Sequence, residues 1–368
     1  MFKRQAVRIA VLVALFIVAP VLRAEAAGNG GNPTVSVMTM NMYVGTDVNS
    51  ALLSAQTPSG LALAVTAAYQ NILNSDPPER IAAMAKEIAS HDPDLVGLQE
   101  VALLRTAPIT SPPTFATKVE ADFLQMLLDD LTQLGQHYNA VAILPGIDAQ
   151  APTTLGKVIR LTARTAIIAR TGLSLSNIHV EDFLANLRVP VPISPGAITD
   201  TRGWISVDAD LGGPKIRFFT THLENATPAP LAPIQLAQAK ELVAVATHTS
   251  LPVIMAADFN ANADNPADPS FRTYTLLRNA GFADAWTQVH PDDPGYTCCQ
   301  APDLRNPVSQ LSERIDLVLY RGALQAVEAS LAGNQPSDRT PSGLWPSDHA
   351  AVEATFAVGS PQTAQPQP

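Results

Sequence analysis

Hydrophobic and polar positions follow two rhythms along the chain. Short strand-like runs, each built around apolar residues, occupy residues 35–40, 94–98, 164–169, 203–208, 215–221, 251–256, 314–320 and 350–358. Between them lie segments with helical spacing. Pro77, Pro78 and Glu79 open one helix, Ile81, Met84 and Ile88 form its apolar stripe, and Asp92-Pro93 ends it. A second is expected over residues 119–134, where Phe123, Met126, Leu127, Leu131 and Leu134 share one side and Gly135 sits at the C-cap position. Residues 233–246 and 271–279, the latter closed by Gly281, complete the set, and residues 50–75 are partly helical. Strands mixed with helices predict an α/β domain. No Gly/Ser linker, composition break or internal repeat interrupts residues 34–358, so one large domain is expected there.

The two ends follow other rules. Lys3, Arg4 and Arg8 precede an apolar run from Ile9 to Leu22, and Ala24-Glu25-Ala26 offers a small-residue cleavage site. That order predicts a secretory signal peptide over 1–26 and a secreted or periplasmic protein. The alternative, a membrane anchor, needs ~20 spanning residues, more than this run supplies. Residues 27–33 read as a flexible leader and 359–368 as a Pro/Gln-rich tail. With no other long apolar run, no stable membrane insertion is expected after cleavage, and a monomer is expected.

Charge changes the picture in one respect. The 368 residues carry a formal net charge of -10. Removing 1–26 takes away Lys3, Arg4, Arg8, Arg23 and Glu25, which leaves 19 basic against 32 acidic residues, a net charge of -13. No Lys/Arg cluster stands out, which argues against gripping duplex nucleic acid by bulk electrostatics. Two cysteines are too few to form a disulfide framework.

The chemistry-bearing residues stand just beyond the apolar runs. The first run ends in Asn41, the second in Gln99-Glu100, and residues 216–219 lead into Thr220-Thr221-His222. The run at 252–255 leads to Asp258 and Asn260, Asp316 lies inside Arg314-Ile315-Asp316-Leu317, and Ser347-Asp348-His349 precedes the last strand. Each has a plainer reading: Asn41 a turn residue, Glu100 a surface residue, Asp258 and Asn260 a turn cap, His222 a core histidine. Together, carboxylates, amides and imidazoles at strand ends are what an α/β enzyme gathers at a shared cleft.

In order, Met38-Thr39-Met40-Asn41 with Gly45, Leu98-Gln99-Glu100, Thr220-Thr221-His222-Leu223, Ala257-Asp258-Phe259-Asn260-Ala261, Arg314-Ile315-Asp316 and Ser347-Asp348-His349 resemble the motifs of the endonuclease/exonuclease/phosphatase superfamily, the deoxyribonuclease-I-like fold. Ala257 replaces a glycine usual in that motif. The resemblance implies a four-layered αββα sandwich of two packed mixed sheets flanked by helices, and hydrolysis of a phosphodiester. It implies that Glu100, with Asn41 and Asp348, holds Mg²⁺, a hard ion needing few protein ligands. Mn²⁺ is the alternative there, and Ca²⁺ a possible structural ion. Asp258 would orient or deprotonate the attacking water, Asn260 would donate to phosphoryl oxygens, and His222 and His349 would bind the phosphate, with Asp316 orienting His349.

Arg202 resembles a phosphate-contacting arginine in some members; its alternative is a surface arginine at a strand start. Tyr43, Asp47, Arg164 and Thr165 are neighbours of the motifs without an assigned role. Leu344-Trp345-Pro346 could reach a membrane or be core beside the site. Cys298-Cys299 is either a vicinal disulfide or two thiols, in a long loop expected beside the site. The shared residues do not choose among nucleic acid, a phospholipid head group and a small phosphate ester. A nuclease is placed first, a sphingomyelinase-like lipid phosphodiesterase and an inositol-phosphate or small-molecule phosphatase next, and a non-catalytic binding relative last.

Overall fold

A computed structural model describes residues 33–111, 114–193 and 196–359. The expected signal segment, most of the leader and most of the tail lie outside these residues.

Two large mixed sheets pack face to face. In the first, the spatial order is Leu324–Ala332, Ala351–Val358, Thr34–Asn41, Leu95–Gln99, Lys157–Arg170, Leu103–Pro108 and Lys118–Asp122, with Tyr138–Pro152 also paired to Lys157–Arg170. In the second it is Ala283–Asp284, Asp316–Arg321, Val253–Asp258, Lys215–Thr221, Gly203–Asp210 and Ser174–Asp182. A small hairpin, Leu187–Pro190 with Ala197–Asp200, stands apart. Thr34–Asn41 runs parallel to Leu95–Gln99 and Lys215–Thr221 parallel to Val253–Asp258; the other pairings are antiparallel.

Strand alternation builds the layers. Val35 and Val37 join Leu95, Ile167, Ile205, Phe218, Ile254 and Phe356 between the sheets. Met38 and Met40 point the other way, onto Ile81, Met84 and Ile88 of helix Pro77–His91 and Phe123 and Leu127 of helix Phe123–Gln133. On the far side, Ala239 and Leu242 of helix Ala232–Ala246 and Leu277 of helix Phe271–Asn279 cover Phe219, Met255 and Leu317. Helix, sheet, sheet, helix is the expected four-layer order.

Local chemistry sets the helix ends. The Asp76 side chain accepts from the Glu79 amide with Pro77 as first residue, and Asp92 closes the helix in the left-handed region. The helix expected from residue 119 starts at Phe123, because the Asp122 carboxylate caps it by accepting from the Gln125 amide. Residues 118–122 pair instead with Leu103–Thr106 as a strand. The strand expected from 314 starts at Asp316. Of the segments with no strand expectation, Tyr138–Pro152 is the longest and Ser174–Asp182 the most exposed.

One close approach brings the sheets together near their functional edge. A Cβ on Gly97 would stand 2.3 Å from Thr220 Oγ1 and 2.6 Å from the Ala256 carbonyl, so only glycine fits. Beside it Thr39 donates to the Gln99 side-chain oxygen and Gln99 Nε2 donates to Thr220 Oγ1, tying three strands across the two sheets.

Candidate active site

The register delivers the polar strand ends to one edge. Asn41 is the last residue of its strand and pairs with Gln99, so Glu100 follows directly beside it. In the second sheet Asp258 pairs with Asp316, and His222 bridges to Asp258. His349 lies two residues before the strand Ala351–Val358, which runs antiparallel to Thr34–Asn41.

The side chains converge accordingly. Asn41 Nδ2 donates to Asp258 Oδ2 at 3.0 Å and to Glu100 Oε1 at 3.3 Å, so one amide joins the two sheets' carboxylates. Glu100 has a left-handed backbone, and its other oxygen accepts from the Val44 amide at 2.8 Å. The Asn260 amide donates to Asp258 Oδ1 at 2.8 Å, and Ser347 Oγ donates to the Asn41 carbonyl. His349 Nδ1 meets Asp316 Oδ2 at 2.7 Å, which leaves Nε2, 3.9 Å from Asp348, for the cleft. His222 Nε2 lies 3.4 Å from Asp258. Asn41, Glu100, His222, Asp258, Asp316, Asp348 and His349 thus form one constellation.

Two expected residues stand differently. Asn260 lines the cleft, but its Nδ2 already donates to the Leu223 carbonyl at 2.9 Å, leaving one N–H for another acceptor. Arg202 is neither a surface arginine nor a free phosphate ligand. Its guanidinium lies against Asp200 and Glu224 and donates to the Leu223 carbonyl at 3.1 Å, so it braces the segment that carries His222. Trp345 is fully buried, with its indole N–H on the Asn306 carbonyl, so the membrane-reaching alternative for residues 344–346 falls away. Thr297 carried no sequence signal, yet its hydroxyl oxygen accepts from the Ile315 and Asp316 amides at 3.1 Å each and fixes the strand start under Asp316.

Burial and mutual charge set the protonation states. Burial first, then the Asp316 charge, raises Asp258 from its ordinary value to about 7. Burial raises Asp348 to about 6, with the Glu100 charge adding to the effect and His349 opposing it. Burial and the positive charges of Arg202 and His349 hold His222 well below its ordinary range, so it is neutral. Burial alone would lower His349 too, but the charges of Asp316, Asp348 and Asp258 outweigh it and keep the imidazolium stable. The site pairs a proton acceptor near neutrality with a held proton donor.

The donor set also fits a hard cation. Glu100 and Asp348 offer carboxylate oxygens, and Asn41 would add its Oδ1, which here accepts from the Tyr43 amide at 2.9 Å. Burial first, then neighbouring carboxylates, raises Asp258 and Asp348, and a divalent ion would stabilise their charged forms. Asp258, Asp316 and His349 also cluster, with candidate ligand atoms within 4.8 Å of one another, but His349 as an imidazolium has no lone pair to give an ion. The cleft has a volume of about 600 Å³. Among the described residues lining it, the carboxylates Asp47, Glu100, Asp200, Glu224, Asp258, Asp268, Glu313 and Asp348 face only two arginines, Arg164 and Arg202. Both arginines are paired, Arg164 with Asp122.

Comparison with known proteins bears on the family and the fold. Residues 68–349 match the model of the Endonuclease/Exonuclease/phosphatase family. No curated protein matches the chain. Among solved structures, an endonuclease/exonuclease/phosphatase from Beutenbergia cavernae DSM 12333 is 21% identical with a TM-score of 0.55, over 90% of this chain and 73% of that one. A family protein from Leptotrichia buccalis is 16% identical with a TM-score of 0.53, over 88% and 99%. D. rerio TDP2, crystallised with a single-strand DNA product, is 15% identical with a TM-score of 0.51, over 88% and 98%. The family match spans most of the chain and every motif from Glu100 to His349, and the chain belongs to the endonuclease/exonuclease/phosphatase family of phosphoester hydrolases.

Proposed function

We propose that this protein is an exported, divalent-metal-dependent phosphodiesterase and that its substrate is a nucleic acid. The observation that carries the reading is the pairing of Asp316 with His349 at 2.7 Å beside Asp258, with Asn41 linking Asp258 to Glu100. Asn41, Glu100 and Asp348 would hold Mg²⁺ or Mn²⁺. A bound ion supplies positive charge against the phosphate oxygens.

The chain's own groups do the rest. Asp258, oriented by Asn41 and the Asn260 amide and poised near pH 7, takes the proton of the attacking water. His349, held protonated by Asp316, turns Nε2–H to a phosphoryl oxygen as charge builds there. Neutral His222 and the remaining N–H of Asn260 complete the donor wall. Arg202 acts from behind, through the carbonyl of Leu223.

Nucleic acid is supported by the fold's use in D. rerio TDP2, whose structure carries a single-strand DNA product. A cleft with no unpaired lysine or arginine among its described lining residues suits a short single-stranded stretch better than a duplex, which is gripped through many phosphates. The same acidic walls favour a second reading, a phosphodiester whose head group carries a cation, as choline phospholipids do. One panel separates them: single-stranded oligonucleotide, plasmid, RNA, sphingomyelin and inositol phosphates, each with Mg²⁺ and with EDTA. Metal-dependent cleavage of the oligonucleotide supports the first reading, and of sphingomyelin alone the second. Failure on every substrate with Mg²⁺ and with Mn²⁺ overturns both. Export is tested by sequencing the mature N-terminus, expected at Ala27. No helix among the described residues is long and apolar enough to cross a membrane.

A further inference from the structure

The Cys298 and Cys299 sulfurs lie against each other, and both residues line the cleft beside His349. Their segment is a junction between the two halves of the catalytic pair. On one side the Thr297 and Cys298 amides donate to the Glu313 carbonyl at 2.7 and 2.9 Å, and the Cys298 carbonyl accepts from the Ser312 and Glu313 amides. This side leads through the Thr297 hydroxyl to Asp316. On the other side the Gln300 amide donates to the Asp348 carbonyl at 2.8 Å, and the Ala350 amide donates to the Thr297 carbonyl at 2.7 Å. Asp348 and His349 are held between those two bonds. The Asp316–His349 contact therefore spans a gap whose width residues 297–300 set.

We propose that Cys298 and Cys299 form a disulfide that positions Asp316, Asp348 and His349, and that its reduction disengages the pair and lowers turnover. The inference rests on the function proposed above and adds a redox control to the same site. A bond between adjacent residues withdraws backbone freedom from both, so opening it returns that freedom to the junction. Cys298 is buried and Cys299 exposed, so a reductant has one sulfur to attack. With a water-soluble phosphine the disulfide gains two electrons and becomes two thiols. The phosphine is oxidised to its oxide, and water supplies the oxygen and both protons.

The test uses the mature protein with Mg²⁺ and bis(p-nitrophenyl) phosphate as the probe. Unfolded, unreduced protein is expected to show no reactive thiol, and phosphine-treated protein two. Treatment should lower kcat about tenfold, the equivalent of freeing roughly one residue's backbone, with KM and Tm nearly unchanged. Hydrogen exchange at the Gln300 and Ala350 amides should quicken, and reoxidation should restore both readouts. The double variant Cys298→Ser, Cys299→Ser should match the reduced protein and ignore phosphine. Two thiols in the unreduced protein overturn the proposal, as do unchanged kcat and unchanged exchange after reduction. Should the untreated protein hydrolyse no phosphodiester, the functional reading fails, and the thiol count and exchange rates still decide whether the disulfide holds this segment.

Discussion

Replacing Asp316 by asparagine removes one charge and almost no volume. The side-chain amide of Asp316→Asn can still accept from His349 Nδ1–H at the 2.7 Å contact, so ring position and tautomer survive while the countercharge does not. A hydrogen bond to a charged group is worth about 1.5–3 kcal/mol against about 0.5–1.5 for a neutral one, and the difference of about 1–1.5 kcal/mol, felt where His349 meets developing charge, lowers kcat by roughly 5–13-fold. The pH profile gives a sharper signature. The Asp316 charge is the foremost influence raising His349 against its burial, and it is second to burial in raising Asp258 to about 7. Removing it lowers both, so the whole bell-shaped profile slides to lower pH, with both limbs read as properties of the coupled group. Steady-state kinetics on bis(p-nitrophenyl) phosphate across pH 5 to 9 at saturating Mg²⁺ measures both effects. A kcat within twofold of wild type, with both limbs unmoved, would refute the reasoning.

Metal binding should stabilise the fold more at pH 8 than at pH 5.5. Asp258 and Asp348 titrate at about 7 and about 6 in the fold against 3.8 unfolded, so the metal-free fold binds protons more tightly and loses that stability as pH rises to 7. A cation takes over the neutralising role, so Mn²⁺ should raise Tm more at the higher pH, and equal shifts would contradict this. Arg80 is fully buried and donates to the carbonyls of Met42, Tyr43, Ser75 and Pro346. Arg80→Ala leaves those acceptors bare and should cost about 3 kcal/mol or more, read from the urea midpoint at unchanged slope. Gly97→Ala drives a methyl against Thr220 and the Ala256 carbonyl where the sheets meet. It should cost about 1–3 kcal/mol in the same assay.

How far the chain could be read without its structure depends on where each signal is stored. Thr34–Asn41 is buried at every residue after the first, so it reads as a continuous apolar run and Asn41 stands out as the polar residue that ends it. Glu100 and Asp258 stand out for the same reason. Ser174–Asp182 is an exposed edge strand with almost no apolar contrast, and Tyr138–Pro152 is broken by register shifts near Ala142 and Pro145, so neither shows a period. Residues 118–122 read as helix because the stripe that begins at Phe123 extends smoothly upstream; only the capping bond of Asp122 marks the boundary. Arg202 and Thr297 act through distant partners, the Glu224 carboxylate 22 residues on and the Asp316 amide 19 residues on, contacts that no local pattern encodes. Segments buried on both faces were legible, and roles assigned by tertiary contact were not.

The central claim is that the acidic edge between the two sheets hydrolyses phosphodiesters with a divalent ion. It is tested most directly by Mg²⁺-titrated hydrolysis of bis(p-nitrophenyl) phosphate by the wild type, Glu100→Ala and His349→Ala. The expected result is activity in the wild type that EDTA abolishes, with each variant reduced roughly 10²–10⁴-fold. Activity that survives EDTA, or full activity in both variants, would contradict it.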